Sequence, residues 1–360
     1  MKKVGIITLY DIKNYGNRLQ AYALYRVIKK LNCEPVEIIH YEKGLKAFLK
    51  KNIKRNRFLT VCSQFIIGIL RGNKLKKVIK KCNRLNLFSV FTRKIKSKTV
   101  FSDNKKIDYY VCGSDQIWNP NFAGQSSYFA AFSDKEKRIS YAASFGISEL
   151  PEKVIDRFKK NLNDMKAISV REAAGAKIVK ELTGRDALVA IDPTLMLDKK
   201  DWEEVAKKPE FDIPEKYILV YFLGEFEGEN LEYVEKLAEE NNMKVILLNL
   251  KKENDYWYST GPSEFIWLIE NASLVCTDSF HASVFSILME TPFVAFKRVY
   301  KDNDMNSRFE TLLGMFGLTD RFIGAVQTGE EFKTDYSQVS EILNKERQKS
   351  LDYLTDALEL

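Results

Sequence analysis

Apolar and polar positions alternate in two rhythms along the chain, and each rhythm predicts an element. Val4 to Leu9 is a short β-rich run. Asn17 to Leu31 sets Leu19, Ala23, Val27 and Leu31 on one helical stripe, and Pro35 to His40 is a second strand. Further strands are predicted over Tyr109 to Cys112, Ile139 to Ser144, Ile168 to Val170 and Leu188 to Ile191, with a helix over Pro151 to Met165. A second series starts beyond Asp192-Pro193-Thr194 and a connector through Trp202 and Pro214. It runs strand Tyr217 to Leu223, helix Asn230 to Asn241, strand Lys244 to Leu248, helix Pro262 to Asn271 and strand Leu274 to Thr277. A helix from about His281 to Glu290, the strand Phe293 to Phe296, a helix from about Arg308 to Phe316 and a polar amphipathic helix over Ser337 to Leu360 complete it.

Two consecutive βα series predict an α/β protein of two Rossmann-like, doubly wound domains, residues 1–197 and 198–360, with ligands bound at the carboxyl ends of the strands in the cleft between them. The length agrees: 360 residues exceed the roughly 100–200 usual for one domain. An apolar share of 45% and a charged share of 29% fit substantial cores and exclude a disordered or fibrous chain.

Charge changes the picture at one place. Residues 43–106 carry 20 Lys and Arg against a single acid, Asp103, while the rest of the chain has 37 basic and 48 acidic residues, so this insert holds the whole positive excess. Within it, Lys50, Lys51, Lys54, Arg55 and Arg57 precede the largely apolar run Phe58 to Leu70, and Lys74, Lys76, Lys77, Lys80 and Lys81 follow. A basic amphipathic insert suits an anionic membrane surface, and phosphate backbones attract the same charges; nucleic acid is the weaker reading. The plain alternative is a helical hairpin that packs its apolar stripe on its own domain. No run approaches the roughly 18 apolar residues of a membrane span. The start, Met1 to Leu9, reads as a strand rather than a secretory signal, and five scattered Cys without C-x-x-C spacing imply a reducing compartment. A cytoplasmic protein, peripheral at the inner face of the cell membrane, is the expectation. With two His, His40 and His281, and those dispersed Cys, no metal site and no cofactor are expected.

The candidate chemistry lies at strand ends. Leu274 to Leu288 is a buried strand that breaks at Asp278 and Ser279 and enters a helix near His281, where free N–H groups and the helix dipole suit a phosphate or carboxylate. Capping of that helix is the plainer use of Asp278 or Ser279. His281 suits proton transfer near neutrality, or else a local hydrogen bond that fixes the turn; His40, beside Tyr41, reads as structural. Gly113-Ser114-Asp115-Gln116-Ile117-Trp118-Asn119-Pro120 follows a strand and offers donors and acceptors to a hydroxyl-rich ligand, with Trp118 either stacked on a sugar face or a packing anchor. Asn14, Gly16 and Asn17, Arg171 and Glu172, and Asp192 and Thr194 follow other strands. Arg171 supplies a planar fork for phosphate or carboxylate, or pairs with Glu172 or a neighbour. Asp302-Asn303-Asp304 reads as a solvated loop rather than a metal triplet, and no G-x-G-x-x-G or G-x-x-x-x-G-K-[ST] occurs.

Taken together these residues resemble the polysaccharide pyruvyl transferase family. The likeness runs from Tyr15-Gly16-Asn17 through Gly113 to Pro120, Ser140 to Gly146, Ser169 to Glu172 and Asp192-Pro193-Thr194-Leu195 to Thr277 to Ser283 and Pro292-Phe293, in family order over about 300 residues. It implies a fold like the B-type glycosyltransferases, with the first domain on the acceptor side and the second on the donor side. It also implies transfer of pyruvate from phosphoenolpyruvate to two sugar hydroxyls of a cell-surface glycan or its lipid-linked precursor, closing a cyclic ketal. On the resemblance His281 is the acid/base and Arg171 grips the donor, with Ser279, Phe280, His281 and Arg308 around it. Gly16, Asn17, Ser114, Asp115, Gln116, Trp118 and Asn119 face the acceptor, with Glu172, Asp192, Thr194 and Asp278 in support. One position departs from the family pattern: Ser279 stands where an Arg often lies two residues before the His. That keeps two other readings open, a glycosyltransferase using a sugar nucleotide and a glycan- or membrane-surface binding module without turnover.

Overall fold

The computed structural model describes residues 1–11, 13–39, 75–99, 106–121, 123–249, 253–300, 303–304 and 307–360. His40, Cys62, the run Phe58 to Leu70 with its preceding lysines, and Asp302 lie outside the described residues.

The first unit is a parallel sheet of β1 (Lys3–Ile7), β2 (Glu34–Ile39), β3 (Ser97–Thr99), β4 (Tyr109–Cys112) and β5 (Arg138–Ser140) in the order β3-β2-β1-β4-β5. β1 is central and pairs in parallel with β2 and β4, which is why its residues form an unbroken apolar run rather than an alternating one. Helix α1 (Tyr15–Lys30) crosses over from β1 to β2, and the side chain of Asn14 caps it by accepting from the Asn17 amide. The helices α3 (Ile155–Asn163) and α4 (Ala173–Thr183) and the short parallel pair β6 (Ser169–Val170) and β7 (Leu188–Val189) complete this half, joined to β5 through bridges at Ile139–Ala167 and Ala143–Val170. The expected strand over Ile139 to Ser144 is thus shorter, since the chain leaves the sheet at Ala142 with a left-handed φ of 46°.

The second unit is a parallel sheet in the order β11-β10-β8-β9, built from β8 (Tyr217–Phe222), β9 (Lys244–Asn249), β10 (Leu274–Thr277) and β11 (Phe293–Ala295). A hairpin of β12 (Val299–Tyr300) and β13 (Asn303–Asp304) follows. The helices are α5 (Lys199–Glu203), α6 (Glu229–Glu240), α7 (Asp255–Tyr258), α8 (Pro262–Glu270), α9 (Phe280–Met289), α10 (Ser307–Phe316) and α11 (Val339–Leu358), with α2 (Leu75–Thr92) belonging to the basic insert. β8 is buried along its whole length, and α9 is buried on every side, as its nearly all-apolar sequence requires. Both units are Rossmann-like, and their strand ends face one cleft.

Two elements join the units in ways that periodicity did not reveal. α11, assigned to the second domain by its place in the chain, lies on the first sheet: Tyr353 donates to the Ser140 carbonyl at 2.7 Å, Lys166 to the Ala357 carbonyl at 2.9 Å, and Lys2 to the Leu358 carbonyl at 2.8 Å. An amphipathic pattern specifies a face to bury and not the sheet that buries it.

The described part of the basic insert, α2, buries Val78, Cys82, Leu85, Phe88 and Phe91 at helical spacing. It packs on α1 and also on α7 and α8 of the other unit, so the expected packing on its own domain is only half of the arrangement. Lys77 and Lys81 pair with Glu253 at 3.3 and 3.2 Å, and Lys80 pairs with Asp255. Behind these exposed pairs, Arg84 is buried and donates to the Tyr15 hydroxyl at 2.6 Å and to the Trp257 and Thr260 carbonyls at 2.7 and 2.6 Å, with the Trp257 ring 3.5 Å from its Cζ. Tyr15 stacks on Phe265 at 4.4 Å and on Phe88 at 5.3 Å. The back of the cleft is therefore an aromatic seam pinned by one guanidinium. Among the described residues no helix is long and apolar enough to cross a membrane.

Replacing Arg84 by Ala strands the Trp257 carbonyl, leaves the Tyr15 hydroxyl and the Thr260 carbonyl only each other at 3.3 Å, and removes the cation from the aromatic seam. It is expected to destabilise the protein by roughly 2–4 kcal/mol, read as a lower denaturation midpoint; a midpoint unchanged from wild type would show that Arg84 does not pin the units together.

Candidate active site

The site is built from strand ends of both units. After β4 the chain turns at Gly113, whose φ of 138° and whose distance of 1.9 Å from a built Cβ to the Tyr141 carbonyl oxygen admit glycine alone. That turn delivers Ser114 and Asp115, the latter with a left-handed φ of 67°. β6 delivers Arg171 and Glu172, and β7 delivers Asp192 and Thr194. β10 opens into α9 and delivers Phe280 and His281 from across the cleft.

Asp192 is the meeting point. Its Oδ2 accepts from Ser114 Oγ at 2.8 Å and from Arg171 Nη1 at 2.7 Å, and its Oδ1 accepts from the Thr194 amide at 3.1 Å and hydroxyl at 2.8 Å. His281 Nε2 lies 3.4 Å from the same Oδ2 without hydrogen-bond geometry, an ion pair only when the imidazole is protonated. The two residues on which the expected chemistry turns, Arg171 and His281, thus converge on one carboxylate although 110 positions separate them. Burial pushes the Asp192 carboxyl up, and the opposing pull of His281 and Arg171 exceeds it, so the group is held well below the usual carboxylate range. Asp115 is also lowered: burial raises it, His281 and Arg171 lower it more, and the Asn17 amide donates to Oδ2 at 2.9 Å.

A cationic pocket adjoins this hub. The guanidinium Cζ of Arg171 sits 4.3 Å from the Phe280 ring centroid and that of Arg308 5.8 Å from it. Each of these arginines is only 4% exposed. Nε and Nη2 of Arg171 and Nε of Arg308 find no hydrogen-bond partner among the described residues. Burial lowers the Arg308 guanidinium to about 9, with Arg171 and Arg298 adding repulsion. Buried cations with idle N–H groups call for an anion.

Other expected residues are placed differently. Trp118, expected against a sugar, is wholly buried: it stacks on Phe129 at 4.9 Å, meets Phe145 edge-on, and donates its indole N–H to the Tyr128 carbonyl. It is a packing anchor, because the loop after β4 folds back over the sheet and carries the indole inward. Gln116 and Asn119 are buried and bond to each other at 2.9 Å beside Gly146, shaping the loop rather than opening onto the cleft. Glu172 Oε1 accepts from Ser144 Oγ and from the Phe145 and Gly146 amides. Neither expected cap holds α9: Ser279 makes no side-chain cap bond, and Asp278 reaches back to the Leu223 and Gly224 amides at 2.7 and 2.8 Å. Burial, outweighing those bonds and Arg298, raises Asp278.

Two residues escaped the sequence reading. Arg18, fully buried, pairs with Glu37 at 2.9 Å and donates to Asn17 Oδ1, which turns the Asn17 amide nitrogen toward Asp115. An Arg on the buried face of α1 and an acid inside β2 were the available signal. Among the described residues no group of His, Cys, Asp or Glu gathers that could hold a metal ion.

Residues 14–298 match the family described as polysaccharide pyruvyl transferase. Among solved structures the chain is similar to a protein of uncharacterized function from Klebsiella pneumoniae at 12% identity, covering 89% of this chain and 93% of that one, with a TM-score of 0.46. It is also similar to the UDP-GlcNAc 2-epimerase of Methanocaldococcus jannaschii (15% identity, 100% and 99% covered, TM-score 0.43) and to MurG of Acinetobacter baumannii (10%, 100% and 99%, TM-score 0.39). No curated protein matches the sequence.

Asp192 stabilises the fold while it is charged. Its folded-state affinity for a proton lies below the unfolded value of about 3.9, so the contribution is full above that pH and fades as pH falls below it. The melting temperature of Asp192→Asn is expected to lie well below wild type at pH 7 and to approach it below pH 4. A gap that persists unchanged to pH 3 would mean that the carboxylate's charge is not what holds the hub.

Proposed function

The chain belongs to the polysaccharide pyruvyl transferase family, and from that premise we propose that it moves pyruvate from phosphoenolpyruvate to two hydroxyls of a glycan, closing a cyclic ketal. The supporting observation is the pair of buried arginines around Phe280 with unused donor atoms. Phosphoenolpyruvate carries a phosphate and a carboxylate on three carbons, and two guanidiniums at one pocket match that charge and size. Arg308 takes the part that Ser279 cannot, since a hydroxyl carries no charge.

In the proposed reaction Arg171 and Arg308 hold the two anionic groups, with N–H groups at the start of α9 alongside. His281 gives its proton to the methylene carbon as the enol π pair forms the new C–H bond, leaving the central carbon electrophilic. One sugar hydroxyl adds there and returns its proton to the imidazole. The C–O bond to phosphate then breaks with its electron pair, the second hydroxyl closes the ring, and its proton leaves on inorganic phosphate. Donor and diol become ketal and phosphate, with no oxidant or reductant. Asp115, Asn17 and Ser114 line the acceptor side in this reading. Asp192 keeps Arg171 and His281 at a fixed spacing.

The acceptor in this proposal is a cell-surface glycan or its lipid-linked precursor, met at the cytoplasmic face of the membrane. The insert 43–106 would dock there on anionic lipid: α2 leaves Leu75, Ile79 and Val90 exposed on its outer side, with lysines nearby. Ser279 keeps transfer from a sugar nucleotide as the second reading.

Phosphate release from phosphoenolpyruvate in the presence of candidate glycans tests the proposal. His281→Ala is expected to lower kcat by ~100-fold or more, and Arg308→Ala to raise KM for phosphoenolpyruvate by roughly tenfold or more, about 1.4 kcal/mol for each decade. Thermal stabilisation by nucleotide sugars and not by phosphoenolpyruvate would replace the donor with a sugar nucleotide. Docking is checked by sedimentation with phosphatidylglycerol vesicles. Leu75→Glu/Ile79→Glu is expected to lose binding and keep turnover of a water-soluble acceptor; undiminished binding removes this face of α2 from the docking surface.

A further inference from the structure

His281 stands on α9 of the second unit, yet its imidazole is seated by the first. One wall of the seat is Asp192, 3.4 Å from Nε2. The opposite wall is backbone. A Cβ built on Gly16, in the first turn of α1, would lie 2.3 Å from His281 Nδ1, 2.5 Å from Cγ and 2.7 Å from Cβ. Contacts below 3.0 Å do not occur for real carbon atoms. The inclusion of His281 Cβ matters most, because no rotation about χ1 or χ2 moves that atom away. Relief would need a shift of α9 against α1, and both are packed into one continuous core. Gly16 is in ordinary helical backbone, without a positive φ, so conformational freedom does not account for a glycine at this position. Nor does helix formation, in which Ala is better by about 1 kcal/mol.

We infer that Gly16 is a positioning residue for His281: the missing side chain leaves the space in which the ring lies flush on α1 with Nε2 at Asp192. Its neighbours are anchored to other elements, Asn17 to Asp115 and Arg18 to Glu37 of β2, so the helix cannot retreat from the ring without breaking buried hydrogen bonds. The consequence is that the proton donor is assembled from both units. α9 supplies the imidazole, while the start of α1 and the end of β7 set where it points. The three atoms nearest a Cβ on Gly16 all belong to His281 and none to Arg171 or Arg308, so a substitution there acts on the acid and not directly on the arginines. The catalytic half of this inference rests on the proposed pyruvyl transfer; the steric half does not.

The test is a thermal double-mutant cycle with kinetics beside it. Gly16→Ala is expected to lower the melting temperature by several degrees, on the order of 5 °C, in the wild-type background and to change it by less than about 1 °C in His281→Gly, where the ring and the Cβ are both gone and the clash has no partner. A variant that fails to fold alone and is recovered by adding His281→Gly gives the same answer. In the pyruvyl assay, Gly16→Ala is expected to cut kcat at least tenfold with KM for phosphoenolpyruvate within about threefold, since the arginines remain in place. Equal destabilisation in both backgrounds would overturn the contact. Coupling in the melts together with an unchanged kcat would keep the contact and overturn its positioning role. A wild-type protein that releases no phosphate from phosphoenolpyruvate would count against the proposed function alone, and the melts would still decide the contact.

Discussion

A buried carboxylate shared by donors from several strand ends is the constraint around which this cleft is arranged. Asp192 takes hydrogen bonds from Ser114, Arg171 and Thr194 and has His281 Nε2 at 3.4 Å, drawing together the ends of β4, β6 and β7 and the start of α9. A charge in that setting is tolerable only when fully paired. The pairing is mutual, since Arg171 is as buried as the acid and would be stranded without it. What the arrangement leaves over is positive: three guanidinium nitrogens on Arg171 and Arg308 with nothing among the described residues to bond. The hub therefore fixes the geometry, and the unused donors beside it are the ones that the proposed anionic donor would engage.

Rigidity behind the cleft supports this. Tyr15, one residue before the glycine that borders His281, stacks on Phe265 of the opposite unit, and Arg84 ties its hydroxyl to two carbonyls there. The same first turn of α1 thus contributes a ring to the inter-unit seam, a bare backbone to the histidine and an amide to Asp115. Packing and chemistry therefore share one helix terminus. The return of α11 across the first sheet adds a second connection between the units, through Tyr353, Lys166 and Lys2.

Much of this was legible before any coordinates. β4 and β10 fall where their apolar runs end, and α1, α6, α8 and α9 begin and end within two residues of the expected bounds, because both ends of each are marked by a break in periodicity. Asn17, Ser114, Asp115, Arg171, Asp192, Thr194 and His281 stood out as polar residues at strand ends, and the fold gathers all seven. The misreadings have a common cause. Trp118, Gln116 and Asn119 belong to the same strand-end segment as Ser114 and Asp115, and only the backbone path through Gly113 and Asp115 decides which of them face inward. The use of Arg18 and Arg84 as buried pins was hidden, because an arginine on an amphipathic stripe looks like a surface residue until its acceptors, far away in the chain, are known.

Local pattern determined the two βα series, the basic insert, the family motifs and the residue types on offer, since these depend on periodicities of two and 3.6 residues and on side-chain chemistry that each short segment carries in itself. The tertiary structure alone decided that Arg171 and His281 meet on Asp192, that Arg308 joins them at Phe280, that Trp118 is core and that α11 lies on the first sheet. Each of those facts is a contact between segments tens to hundreds of residues apart, set by how whole sheets and helices bury their faces together, and no segment read on its own contains the address of its partner.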